Sequence, residues 1–282
     1  MDLGVFLAVL GAALLHASWN AAIKGGADRF LSVMRLTLSS GTISALMLPF
    51  VPAPAAAAWP WVVASALIHC AYKILLIRAY ALGDLSQIYP LARGSAPMIV
   101  ALVSAPLLGE PLTALDMAAV IAIGLGIVLM SMRGGADLGR MSPTALGWAL
   151  ATACSTASYT IVDGIGARAA GTPSGYILWM FVGDAICMML YALSKGRAAH
   201  LVVTSSPRAW AVGLAAGAMS VGSYWIAVWA FTKAPIALVA ALRETSVLFA
   251  MLIAALFLGE RATHWRWTAA AVILTGVVLM RL

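Results

Sequence analysis

Apolar stretches of about 20 residues, each long enough to cross a hydrocarbon core roughly 30 Å thick, follow one another with short breaks. They fall at 3–23, 30–50, 59–81, 86–108, 112–132, 143–165, 174–194, 209–232, 234–257 and 262–281. In lipid no water satisfies the backbone, so each stretch must be helical. Composition agrees. The chain is 63% hydrophobic and 10% charged, with mean hydropathy +0.99, whereas a soluble domain is roughly half apolar and a quarter charged. The expected fold is an all-α membrane protein of ten transmembrane helices, with a lipid bilayer as its solvent. The breaks, such as "KGGADR" and "RGGADLGRMS", carry turn chemistry and are too short for a soluble domain. Only Met1 and Asp2 precede the first stretch, so it lacks the basic flank of a signal peptide and reads as a retained helix.

The 17 Lys+Arg against 10 Asp+Glu give a net charge of +7. In a soluble chain that balance would suggest nucleic acid. Here the bases sit in the gaps between apolar runs, and no basic face exists to carry phosphate contacts, so nucleic-acid binding is excluded. Cys70, Cys154 and Cys187 lie within apolar runs without metal spacing and read as core residues. No cofactor or metal motif is present, and none is expected.

The chain repeats itself. "LLGEPLTALDMAAVIAIGLGIVLM" at 107–130 aligns without a gap on "FLGERATHWRWTAAAVILTGVVLM" at 257–280, an offset of 150. Leu108, Gly109, Glu110, Thr113, Ala119, Ile123, Gly126, Val128, Leu129 and Met130 recur identically. "HASWNAA" at 16–22 resembles "TASYTIV" at 156–162, an offset of 140. Two halves follow: 1–135 with five helices, a linker at 136–142, and 143–282 with five more. Because five is odd, the second half must lie inverted, an arrangement typical of secondary transporters. Loop charges support this. Gaps after the odd-numbered stretches hold Lys24, Arg29, Arg78, Arg133, Arg140, Lys195, Arg197, Arg208, Arg261 and Arg266; the even-numbered gaps and the termini hold only Arg168, Lys233 and Arg281. The positive-inside rule then places both termini on the non-cytoplasmic side of a bacterial-type inner membrane.

Ten helices in two halves, with Leu-Gly-Glu closing the fourth helix of each, resemble the EamA family of the drug/metabolite transporter superfamily. The segment "YPLARGSAP" at 89–97 is similar to a subgroup associated with phosphonate utilisation. The resemblance implies secondary transport, most often export of small metabolites, through a cavity lined by helices 1, 3, 4, 6, 8 and 9. It puts helices 5 and 10 at the periphery or in the contacts of a homodimer. Gly109 and Gly259 suit helix C-caps, and Glu110 with Pro111 suits a turn; a gating or coupling role for the glutamates is the alternative.

An ionisable group at membrane depth needs a partner or a watery cavity. Helical spacing gathers several such groups into stripes. His16 and Asn20 share a face with Trp19 nearby; His69 and Lys73 share one beside Tyr72; Tyr89 pairs with Arg93, and Tyr159 with Asp163. Pro97 removes the helical bond to the Arg93 carbonyl and predicts a kink there. Offset 150 carries Arg93 onto Arg243, next to Glu244. Two readings stay open: the arginines bind an anionic substrate group, or they pair with Glu244, Asp163 or Asp184 and lock helices together. His16 and His69, with Asp163, Asp184 and Glu244, are the coupling or gating candidates. Tyr224 and Trp225 read either as an aromatic cavity wall or as packing.

The sequence therefore predicts a secondary transporter of a small anionic or zwitterionic metabolite, and no enzyme. Asp163 and Asp184 invite comparison with aspartyl intramembrane proteases, but Val162 and Phe181 stand where the Tyr and first Gly of those signatures belong. A non-transporting scaffold would leave the polar stripes unexplained.

Overall fold

The computed structural model describes residues 1–24, 28–82, 85–131, 143–257 and 263–282. Among them there is no strand. The helices are α1 (Leu3–Lys24), α2 (Arg29–Met47), α3 (Trp59–Leu82), α4 (Leu85–Leu108), α5 (Ala114–Ser131) and α6 (Pro143–Ala169), then α7 (Pro173–Ser194), α8 (Ala198–Thr204), α9 (Pro207–Phe231), α10 (Ile236–Arg243), α11 (Ser246–Phe257) and α12 (His264–Leu279). Each expected stretch coincides with one helix, except 234–257, which is split into α10 and α11. The short α8 was not anticipated. Among the described residues six spans are long and apolar enough to cross a membrane. Linker 136–142 and the second Leu-Gly-Glu, at 258–260, lie outside the described residues.

Local chemistry sets the helix starts. Asp28, Thr172, Ser206 and Thr263 each accept a first-turn amide, from Leu31, Gly175, Ala209 and Arg266 respectively. Pro173 and Pro207 follow their caps at the first helical position, where a missing N–H costs nothing. α4 ends at Leu108 because Gly109 turns to φ 62°, the left-handed conformation glycine adopts freely. α6 is threonine-rich, yet Thr152, Thr156 and Thr160 donate back to the carbonyls of Trp148, Thr152 and Thr156, which satisfies them within the helix.

Packing follows a pattern. α3 lies on α6, and α1 on α9; α4 lies on α6, and α1 on α10 and α11; α2 lies on α9, and α7 on α3. Exchanging α1 with α6, α2 with α7, α3 with α9, α4 with α10–α11 and α5 with α12 converts each pair into its companion. The self-paired contacts are α2 on α7, α5 on α12 and α4 on α10.

The α5–α12 contact explains why the repeat keeps its residues. A Cβ at Gly126 would come within 2.5 Å of the Ile273 side chain and 3.1 Å of the Ala269 carbonyl. A Cβ at Gly276 would come within 2.7 Å of Ile123 and 2.8 Å of the Ala119 carbonyl. Ala119, Ile123 and Gly126 are the residues that recur as Ala269, Ile273 and Gly276. Two helices approach this closely only over glycine, the small-residue packing that replaces the hydrophobic effect inside lipid.

Two contacts join elements on one face of the bundle. Both termini lie there, with Arg281 donating to the Met1 carbonyl at 3.0 Å. On the same face the Ala55 amide donates to the Ala170 carbonyl at 3.0 Å, joining the α2–α3 connection to the α6–α7 turn.

Overpacking a tight helix contact costs about 1–3 kcal/mol. Gly126→Leu and Gly276→Leu should each lower the melting temperature of the purified protein, while Gly11→Leu, with nothing within 4 Å of its Cβ position, should not. Equal melting of all three would mean that α5 and α12 are not in close contact.

Candidate functional site

The ninth apolar stretch breaks at Glu244–Thr245. The reason is local and tertiary at once. The amides of Glu244 and Thr245 reach back only three residues, to the Ala241 and Leu242 carbonyls at 3.0 and 3.1 Å. The Thr245 hydroxyl donates to the Leu242 carbonyl at 2.7 Å, competing for the helix's own acceptor. Glu244 is meanwhile held from across the bundle. Non-helical backbone at membrane depth is tolerated where protein buries it or where it lines a cavity. Here Glu244, Thr245 and Ser246 are all buried.

Arg93 Nε donates to Glu244 Oε2 at 2.8 Å, and both side chains are buried. Arg93 lies eight residues beyond Leu85, and Arg243 seven beyond Ile236. At 1.5 Å per residue each is roughly 10–12 Å from its own helix start, and those starts are on opposite faces. The two guanidiniums therefore flank the middle of the bundle, one approaching it from each face. Arg243 is treated differently from Arg93: its guanidinium sits 4.8 Å above the Tyr224 ring. It makes no ion pair among the described residues, and its buried Nε has no hydrogen-bond partner there. It is 6% exposed. A small cavity beside it is walled by Pro97, Thr156, Tyr159, Thr160, Arg243 and Glu244. His16 lies within electrostatic reach of both arginines. His16 Nε2 and Trp19 Nε1 are buried without a partner among the described residues, and the two rings meet edge to face at 4.9 Å.

A second centre lies nearer the face that carries the termini. Asp163 is 0% exposed, and its carboxylate takes hydrogen bonds from Ser65 Oγ, Tyr176 OH at 2.9 Å and Tyr224 OH, with His69 Nε2 at 3.1 Å. Four partners from α3, α7 and α9 satisfy a charge that would otherwise be untenable in this medium. His69 stacks on Tyr159 at 4.1 Å, and Tyr72 meets the same ring edge-on at 5.5 Å. Tyr224 joins the two centres, since its hydroxyl serves Asp163 while its face supports Arg243.

Thus Arg93, Arg243, Glu244, Tyr159, Tyr224, His16, Trp19 and Pro97 converge, with His69, Tyr72 and Asp163 adjoining them. Others are engaged apart from this group. Lys73 pairs with Asp184 between α3 and α7. Trp225 Nε1 donates to Ser174 at 3.0 Å, and Asn20 donates to its own helix at the His16 carbonyl, 2.9 Å away. The Tyr89 side chain lies outside the described residues. Asp163 and Asp184 serve different partners rather than one another.

Sequence reading missed Thr156 and Thr160 in the cavity wall. Their signal was present: offset 140 places them on His16 and Asn20. Ser65, Tyr176 and Arg168 were missed as well, because nothing local distinguishes a serine or tyrosine that serves a carboxylate 98 or 13 residues away.

The EamA-like transporter family matches residues 143–282. A solved crystal structure described only as that of a protein aligns over 98% of this chain and 94% of its own, with TM-score 0.72 and 16% identity. At that identity the likeness speaks for the fold. In all, 29 chains of solved structures match. No curated protein matches.

Removing one partner of a buried ion pair leaves an uncompensated charge and costs about 3–5 kcal/mol. Arg93→Met and Glu244→Gln should each destabilise the purified protein strongly, and the double variant should lose much less than their sum. Additive losses in thermal unfolding would show that the two side chains act independently.

Proposed function

Because the chain belongs to the EamA-like transporter family, we propose that it is a secondary transporter, working as an exporter of a small anionic or zwitterionic metabolite such as an amino acid, organic acid or phosphonate. It crosses the inner membrane ten times in two inverted five-helix repeats, 1–135 and 143–282, with both termini on the non-cytoplasmic side. Support for the inversion comes from the exchange pattern of the helix contacts and from the reciprocal Gly126–Ile273 and Gly276–Ile123 approaches. The repeats then rock about the mid-depth site, exposing it to one side at a time.

One observation carries the substrate class. Arg93 and Arg243 bring two positive charges to mid-depth and Glu244 supplies one negative charge, which Arg93 engages. The guanidinium left over, that of Arg243, borders a cavity and has an aromatic face beneath it instead of a carboxylate. A planar fork of donors in a dry setting suits a carboxylate or phosphonate bound bidentately. The Thr156 and Thr160 positions and the Tyr159 ring border the same space. Arg93 in this reading neutralises Glu244 and keeps the broken helix in place, while Arg243 contacts substrate.

A ligand present at 100 times its dissociation constant stabilises a protein by about 2.7 kcal/mol. A thermal-shift screen of amino acids, organic acids and phosphonates should therefore raise the melting temperature for at least one class. Arg243→Ala should abolish that rise, and Arg243→Lys should keep only part of it, since a lysine cannot bind bidentately. No stabilisation by any of the three classes, or a full response in Arg243→Ala, would remove Arg243 from the substrate site.

A further inference from the structure

The Leu-Gly-Glu turn of the first half does more than end α4. Gly109 turns the chain, and Glu110 enters the second half, where it is 8% exposed. Both its carboxylate oxygens accept from one backbone amide, that of Ile236, at 3.1 and 3.0 Å. Ile236 is the first residue of α10, so Glu110 caps that helix in trans. Pro235 precedes it and provides no capping side chain of its own. Arg168, at the end of α6, completes the arrangement. Its Nη2 donates to Glu110 Oε1 at 2.5 Å and to the Ala234 carbonyl at 3.3 Å, and its Nε donates to the Phe231 carbonyl at 2.9 Å. One ion pair thus ties the α4–α5 turn to the C-terminus of α6, to the last turn of α9 and to the first amide of α10.

The geometry points to a latch: we propose that Glu110 and Arg168 close the permeation pathway on the face that carries both chain termini, and that Glu110 is a positioning residue for Arg243. The inference rests on the transporter reading above. α10 is eight residues long, is buried throughout, and carries Arg243 at its other end. Its C-terminal end is already a break in the backbone, so the segment is held at its N-terminus by Glu110 and can move as a unit when that hold is lost. Arg168 is the accessible half of the pair, with its side chain 37% exposed against 5% for Glu110. Water reaches the arginine first, and opening begins by hydrating it. Once the carboxylate leaves, the Ile236 amide has no other partner in its own helix, because first-turn amides never do. The face therefore opens by separating the two halves at this turn, and the shift of α10 is transmitted to the site over seven residues.

Distance measurement between spin labels tests this without any substrate. With Cys70, Cys154 and Cys187 replaced by alanine, labels at Leu115→Cys and Lys233→Cys, both exposed, report the α4–α5 side against the α9–α10 turn. A second pair at Arg78→Cys and Lys195→Cys reports the opposite face. In Glu110→Gln the first distribution should gain a longer component while the second does not lengthen. Arg168→Gln should give the same shift, and the double variant no more than either alone. Unchanged distributions in folded variants would overturn the latch, and so would a lengthening of both pairs, which marks general loosening. Should Glu110→Gln fail to fold, Arg168→Gln decides alone. Failure of every anion to stabilise the protein would count against the transporter reading, and these distances would still judge the latch.

Discussion

A guanidinium at the middle of a bilayer must be paired or hydrated, and the Arg93–Glu244 contact is how this chain meets that demand. The pair joins α4 of the first half to the interruption of α10–α11 in the second. Its consequences spread outward. The pair grips the residue at which the helix tightens and breaks, where Thr245 spends its hydroxyl on the Leu242 carbonyl. The break sets the end of α10 and thereby the place of Arg243. Because Glu244 is taken, Arg243 lacks a carboxylate and rests on the Tyr224 ring instead.

The same position shows where the two halves part company. Offset 150 aligns Glu244 with Gly94. In the first half that glycine lets α4 press against α5: a Cβ on Gly94 would come within 2.9 Å of the Gly124 carbonyl, and one on Gly124 within 2.9 Å of the Gly94 carbonyl. The second half has glutamate and Leu274 at the equivalent places, and close packing of that kind is impossible there. One substitution between repeats thus trades a helix–helix contact for a charge. An inverted repeat of identical halves would put two like guanidiniums at mid-depth with nothing to balance them. The exchange of glycine for glutamate supplies the balance and makes the site chemically one-sided.

Features that depend on period and spacing were legible in the sequence. Nine of the ten stretches match one helix each to within a few residues, the offset of 150 picked out Ala119, Ile123 and Gly126 with their copies but not their packing on one another, and Arg93, Arg243 and Glu244 stood out as charges in oil. Features that depend on a partner far along the chain were not. The choice between substrate and Glu244 for Arg93 was open, because residues 151 apart leave no local trace. The broken helix read as continuous, since "AALRETSVLFA" has neither glycine nor proline to announce an end. α4 runs as one helix through Pro97, while the discontinuity arose at the residue that Arg93 grips. Glu110 read as a turn residue, and its turn is real; that it also caps another half's helix could be learned only from the contact.

α10 carries a charge of the favourable sign at each end. A helix dipole places partial positive charge at its N-terminus and partial negative charge at its C-terminus, worth up to about 2 kcal/mol each to a suitably placed, partly buried ion. Glu110 sits at the first end and Arg243 at the second. Both charges come from outside the helix's own hydrogen-bond ladder, one from the opposite half and one from its last residue. An anion arriving at Arg243 would lessen that residue's attraction to the helix C-terminus, and loss of Glu110 would unbalance the N-terminus. The two ends of an eight-residue helix are too close for one to change without the other, since about 12 Å separates them. The proposed substrate site and the proposed latch would therefore be linked through one eight-residue helix.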